Sequence, residues 1–412
     1  MNKLTYLRKI FAEKFNSKEY NEAVQIGESI LREHKNNQVL VSPNVTSDIY
    51  NLACAHHENG NHRLAIHFYY DSVLRTMHEG GETKDYAKRV TNLATALAEV
   101  HMYPQAYQAQ NQAIQTYKNK MLTHTRFYAD AMYNLAKITE NFDENEALDL
   151  HMTALKLNEK IAEKTGVTTA VVDSLYSIAN LHEDIEDFDK AIPYAKAALD
   201  MVEDDTKLSA MTYLASLYEQ EEMFEEAVAI LSEVQSMVKK ETINLSYFNV
   251  TFNCGVLLLK LKEYTGALSY FTEISTIFDS LDNEYHVMHA DSLRNMALIH
   301  SKIGEINTAE LLILKAMKIR RKIGDITADI ICFMHILLTA GEVEKTLDLL
   351  IYALMRLDSD FCNYDKMIDD AMNELVAHGP PIEELVEQIN ALNDKSRLSA
   401  IISKWTSWES ED

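Results

Sequence analysis

The chain has 412 residues, 47% hydrophobic and 25% charged, the balance of a folded protein and not of a disordered one. Its 63 acidic and 39 basic side chains leave a formal charge of −24, a field that repels nucleic acid and anionic membranes. With only 11 glycines and 5 prolines, turn-rich sheets and barrels are disfavoured, and helices joined by short loops are expected.

The opening stretch MNKLTYLRKIF has no apolar core followed by small residues, so no secretion signal is expected. From Asn51 an element recurs along the chain. Asn51-Leu52-Ala53 returns as Asn92-Leu93-Ala94 and Asn134-Leu135-Ala136. Weaker copies are Ser177-Ile178-Ala179, Tyr213-Leu214-Ala215, Asn253-Cys254-Gly255 and Asn295-Met296-Ala297. About a dozen residues after each comes an alanine: Ala65, Ala106, Ala147, Ala191, Ala227, Ala267 and Ala309, in steps of 41, 41, 44, 36, 40 and 42. A second small residue follows several of these seven places on, at Ser72, Ala113, Ala154, Ala198 and Ala316.

Each unit reads as two helices. Helix A carries the Asn-Leu-Ala element with apolar residues at helical spacing. A polar break such as Glu58-Asn59-Gly60-Asn61 or Lys302-Ile303-Gly304-Glu305 follows, with glycine where a helix end wants φ > 0. Helix B carries both small residues on one face, two turns apart, so that neighbouring helices approach closely. Ile330 to Ala340, the most apolar run, contains His335, is too short to span a bilayer and reads as a buried helix. Beyond Asp358 the pattern fades. Gly379-Pro380-Pro381 breaks the chain, and Ile382 to Leu392 and Leu398 to Trp408 look amphipathic. They are expected to cap the last repeat, with a frayed tail from Glu409 to Asp412.

This pattern resembles the tetratricopeptide repeat, with its aromatic residue three places before the packing alanine at Tyr20, Phe188, Phe224 and Tyr264. The units are longer than the common repeat of about 34 residues and look like the kinesin-light-chain subtype. Ala154 to Lys160 and Ala316 to Lys322 resemble that subtype's second-helix signature. The resemblance covers roughly residues 5–355, with a degenerate ninth unit at Gly341 to Ala353; Phe142-Asp143 replaces one glycine turn. It implies an all-α solenoid over residues 1–358, a right-handed superhelix of eight or nine antiparallel helix pairs in one continuous body, followed by capping helices over 359–412.

No catalytic group, cofactor or metal stands out. The scattered Cys54, Cys254, Cys332 and Cys362 form no CxxC pair, which suits a reducing, cytoplasmic setting. There is no GxSxG, Walker or GxGxxG element. Cys54, His56 and His57 suggest a metal, yet adjacent histidines on a helix diverge by about 100°. His56, His182 and His300 instead share one packing slot with Tyr218. His286 and His289, near Glu284, are read as a solvated pair lacking a third ligand. The basic run of Lys315, Lys318, Arg320, Arg321 and Lys322 is read as a solvated face, with an acidic partner or the protein's own acidic surface as the alternative.

The asparagines carry more. Asn51, Asn92, Asn134, Asn253 and Asn295 occupy one place mid-helix, where asparagine is an indifferent helix former. Either the amide bridges to the preceding repeat, or it offers donors and an acceptor to the backbone of a bound peptide. In the family resembled, helix A lines the groove and asparagines at this place contact peptide. Carried over position by position, that implies a wall of Tyr50, Asn51, Lys88, Asn92, Tyr133, Asn134, Lys137, Tyr176, Asn180, Asn253, Arg294 and Asn295, with Cys54 and Phe252 beside them. The expected function is a non-enzymatic scaffold with a protein or peptide ligand. The alternative is a receptor similar to bacterial quorum-sensing regulators, whose solenoid closes on a short secreted peptide.

Overall fold

A computed structural model describes residues 3–38, 42–239, 245–280, 287–323 and 326–342, with 345, 346, 348 and 349. The chain falls into two compact units, Met1–Ala210 and Met211–Asp412. Among the described residues there are seventeen helices and no strand.

The first unit pairs α1 (Lys3–Asn16) with α2 (Tyr20–Asn36), α3 (Pro43–Glu58) with α4 (His62–Gly80), and α5 (Lys84–Glu99) with α6 (Tyr103–Asn119). It continues with α7 (Arg126–Thr139) and α8 (Glu144–Thr165), then α9 (Thr169–Asp184) and α10 (Phe188–Leu199). The unit boundary lies within α11 (Asp204–Gln220), which precedes α12 (Phe224–Lys239). The second unit goes on with α13 (Leu245–Lys260) and α14 (Tyr264–Ser280), α15 (Val287–Lys302) and α16 (Ile306–Ile323), and α17 (Thr327–Thr339). Within the units, A helices pack on their own B helices, as in α3 on α4 and α15 on α16, and B helices pack on the next A helix, as in α4 on α5 and α14 on α15. The expected capping helices over 359–412 lie outside the described residues, as does most of the ninth unit.

Alanine spacing explains the pairing. Ala23, Ala65, Ala106, Ala147, Ala191, Ala227, Ala267 and Ala309 are fully buried, each where a B helix meets its A helix. The second small residues, Ser72, Ala113, Ala154, Ala198 and Ala316, are fully buried too. A larger side chain at these crossings would force the helices apart, which in a packed core costs about 1–3 kcal/mol. One pair inverts the arrangement. Gly255 stands where other A helices carry alanine, and Phe271 fills the space, so that a Cβ at 255 would lie 2.8 Å from the Phe271 ring.

The turn from A to B is more uniform than its sequence. Its middle residue has positive φ at Lys18, Gly60, His101, Glu186, Glu222, Lys262 and Gly304. In each case the next amide reaches back to a carbonyl five residues earlier, as Asn61 N to His56 O at 2.8 Å and Met102 N to Leu97 O at 2.9 Å. This is the Schellman closure of a helix end. Glycine occupies it at only two of these seven places, so five turns hold ordinary side chains in a left-handed conformation. The α7–α8 turn is one residue longer. There Asp143 caps α8 by accepting from Glu146 N at 2.9 Å, which replaces the glycine turn.

Candidate functional site

The A helices of the first unit are set by strong start signals. Ser42 accepts from Val45 N at 3.3 Å, Pro43 occupies the first turn of α3, and Thr83 caps α5 by accepting from Tyr86 N at 3.1 Å. With both starts fixed and about one turn per 3.6 residues, Tyr50 of α3 and Asn92 of α5 come side by side. Asn92 Nδ2 donates to the Tyr50 hydroxyl at 2.8 Å. Asn134 Nδ2 of α7 reaches Thr95 Oγ1 of α5 at 3.5 Å, and the Tyr133 hydroxyl meets Ser177 Oγ of α9 at 3.1 Å. Polar side chains thus tie α3 to α5, α5 to α7 and α7 to α9, while Asn92, Asn134, Tyr50 and Tyr133 remain half-exposed.

Lys88 is exposed with its ammonium 5.8 Å from the centre of the Tyr50 ring, and Arg89 lies 5.1 Å from the same ring. Arg89 also donates to the Thr46 carbonyl at 2.9 Å and to Ser47 Oγ at 3.4 Å. Burial pulls this guanidinium below its ordinary range, with Tyr50, Asp85 and Glu79 opposing. Sequence reasoning passed Arg89 over, although a guanidinium three residues before the asparagine of an A helix was the available signal. Cys54 is held among Tyr50, Tyr69 and Asn92; burial pushes its thiol up and keeps it neutral at pH 7.

The remaining expected wall residues divide. Lys137 is exposed and paired with Glu140 at 2.8 Å. Burial raises Glu140, but hydrogen bonds from His151 and Lys137 outweigh it and hold the carboxyl below its usual range. Tyr176 lines a cavity of about 560 Å³ with Val172, Asp173, Met201 and Thr206. Asn180 is exposed; Asn51 is exposed at the edge of a smaller cavity of about 230 Å³, beside Arg8, Phe11 and Asp48. In the second unit Asn253 is exposed and Phe252 packs edge-on against Phe271. Arg294 is engaged by Asp291 at 2.8 Å and by Asp329 at 3.4 Å, and Asn295 Nδ2 bonds to the Asp291 carbonyl of its own helix at 3.0 Å.

The histidines separate into packing rings and one cluster. His56 stacks on Phe68 and His182 on Tyr194, with ring centres 5.4 and 5.9 Å apart, and burial lowers both imidazoles below their ordinary range. His300, in the equivalent place, bonds to Glu305 at 2.8 Å. His289 is buried against Phe278 and bonds to Ser275 Oγ at 3.1 Å, which corrects the expectation of a solvated group; His286 and Glu284 lie outside the described residues. The basic run also turns partly inward. Arg320 bridges Asp329 at 2.9 Å and Asp291, and Lys315 reaches Asp279 at 2.9 Å, so for these two the protein's own acids are the partners. His57, His62 and Glu99 gather at the α3–α4 turn.

Residues 174–209, within α9, α10 and the start of α11, match the family model described as tetratricopeptide repeat. No curated protein matches the chain. Among solved structures, the chain is similar to a signal transduction ATPase with a tetratricopeptide repeat sensor from Pyrococcus horikoshii, at 15% identity, TM-score 0.48, and 68% and 41% of the two chains covered. It is similar to a putative kinesin light chain with nearly identical TPR-like repeats from Podosopora anserina, at 16% identity, TM-score 0.41, and 48% and 95% covered. It is also similar to a Rap protein complexed with Competence and Sporulation Factor, at 15% identity, TM-score 0.40, and 77% and 98% covered. Among the described residues no helix is long and apolar enough to cross a membrane.

Proposed function

We propose that this chain of tetratricopeptide-like repeats is a non-enzymatic, cytoplasmic scaffold that binds an extended peptide or protein segment along the A-helix face of its first unit. The observation that carries this reading is the register of half-exposed Tyr50, Asn92, Tyr133 and Asn134 on three successive A helices. Packed helix axes stand about 8–10 Å apart, and an extended chain rises about 3.3 Å per residue. One rung therefore meets about every third residue of a peptide. Each amide that donates to a neighbouring hydroxyl retains its carbonyl oxygen to accept from a peptide N–H. Lys88 and Arg89 bring positive charge to this face of an acidic protein, which favours a segment carrying a carboxylate.

The test is selection of peptides from a random library on the full chain, followed by measurement of their affinity for a Lys88→Ala, Asn134→Ala double variant. Both positions are solvent-accessible, so the fold is expected to persist. The selected peptides should lose at least about tenfold in affinity, equivalent to about 1.4 kcal/mol. Equal affinity for both proteins would remove this face from the account.

A further inference from the structure

The cluster at the first-unit turn is not used by the proposed peptide face. His57 lies in the last turn of α3 and His62 is the first residue of α4, a His-x4-His spacing within the range common in metal sites. The three residues between the helices are held by the Schellman bonds of Gly60 N to His57 O at 2.9 Å and Asn61 N to His56 O at 2.8 Å. Glu99 ends α5, from the next repeat. His57 Nε2 lies 2.9 Å from the Glu99 carboxylate and His62 Nδ1 lies 2.6 Å from its Oε2. All three ligand atoms fall within 4.8 Å of one another.

Two details distinguish the group from a plain hydrogen-bonded triad. Although His62 Nδ1 is close to Glu99 and buried, it is not aligned for a hydrogen bond and has no such partner among the described residues. Conversely, the other nitrogen of His57 is anchored: Nδ1 is 3.3 Å from the Tyr69 hydroxyl, which in turn contacts Cys54. In the tautomer with a proton on Nδ1, the Tyr69 oxygen accepts from it. Without an ion, His57 Nε2 bonds to the Glu99 carboxylate at 2.9 Å; with the proton on Nδ1 held by Tyr69, Nε2 is the nitrogen free to take an ion, as is usual for a metal-bound histidine.

We propose that His57, His62 and Glu99 form a binding site for a divalent transition ion, zinc by ligand type, that clasps the α3–α4 turn to the end of α5. Two nitrogens and one carboxylate oxygen at about 2.0–2.2 Å leave a fourth tetrahedral position for water. Ligand atoms around such an ion stand about 3.3 Å apart, so the present spacing needs only small side-chain rotations. The C-terminal ends of α3 and α5 both point their negative dipoles here, against the single N-terminus of α4. The side chains are 16%, 33% and 37% exposed, which allows an ion to enter without unfolding the turn.

Titrating the full-length protein with Co²⁺ alone, then displacing it with Zn²⁺, reads this directly. One equivalent should give tetrahedral d–d bands that zinc abolishes. Glu99→Gln and His62→Asn should each weaken binding at least about tenfold while the metal-free circular dichroism stays unchanged. If His62→Asn disturbs the turn, Glu99→Gln alone decides the matter, because its side chain keeps the same shape at an exposed position. No tetrahedral bands at saturating Co²⁺, a thiolate charge-transfer band marking a cysteine ligand, or undiminished affinity in Glu99→Gln would each overturn the proposal.

Discussion

Two runs of helices, one in each unit, are joined by different chemistry. In the first unit, Tyr50, Asn92, Thr95 and Asn134 join α3, α5 and α7 through neutral hydrogen bonds while staying half-exposed. In the second, Arg294 and Arg320 are drawn onto Asp291 and the fully buried Asp329, joining α15, α16 and α17. Charges committed to one another inside the protein have little left for a ligand. Neutral amides and phenols at the surface keep unused hydrogen-bonding capacity. The difference supports the first unit for the proposed binding face although both units carry the asparagine signature.

The sharpest way to break this comparison is to cut one bond in each unit. Asp329→Ala removes a buried carboxylate from two guanidinium groups and should destabilise by about 3–5 kcal/mol in urea unfolding. Asn92→Ala removes one neutral bond at a half-exposed site and should cost about 1 kcal/mol. Equal losses would mean that the two registers are energetically alike.

Acid sharpens it further, because His56 and His182 in the first unit are both lowered by burial. Around His56 the facing charge is Glu28; around His182 it is Asp187 and Lys190. The folded protein holds these rings neutral, whereas in the unfolded chain they take up protons near pH 6.5. Their contribution is therefore complete above about pH 6.5 and is lost as pH falls below it. Thermal midpoints should drop between about pH 7 and pH 5, and His56→Phe with His182→Phe, which keeps the stacks, should flatten that slope.

The smallest expected effect concerns the turns, which are alike in both units. Lys262→Gly and His101→Gly relieve a side chain at positive φ and should each stabilise by up to about 1 kcal/mol. Gly304→Ala should destabilise by a similar amount.

Much of the fold was legible because alanine and asparagine recur with the period of a helix pair, and a fully buried crossing admits little else. The turns were only partly legible. Gly60 and Gly304 announced them, but His101, Glu186, Glu222 and Lys262 take the same left-handed conformation, because the Schellman bonds and the packed helices on either side enforce it. At the site, Asn92 was legible and its partner was not: the Tyr50 hydroxyl lies 42 residues away. Arg89 was missed because its place three residues before Asn92 marks a helix face but not whether the guanidinium there is stacked and buried or solvated. His289 and Arg320 were misjudged for the same reason.

By itself the sequence determined the helical class, the repeat period, the packing alanines and the acidic field, all of which depend on residue type and spacing along one chain. Tertiary structure alone decided which polar groups meet: Asn92 with Tyr50, Arg320 with Asp329, and His57 and His62 with Glu99. Those meetings depend on how adjacent repeats stack. A shift of one residue in a turn rotates a helix by about 100° and exchanges one set of partners for another.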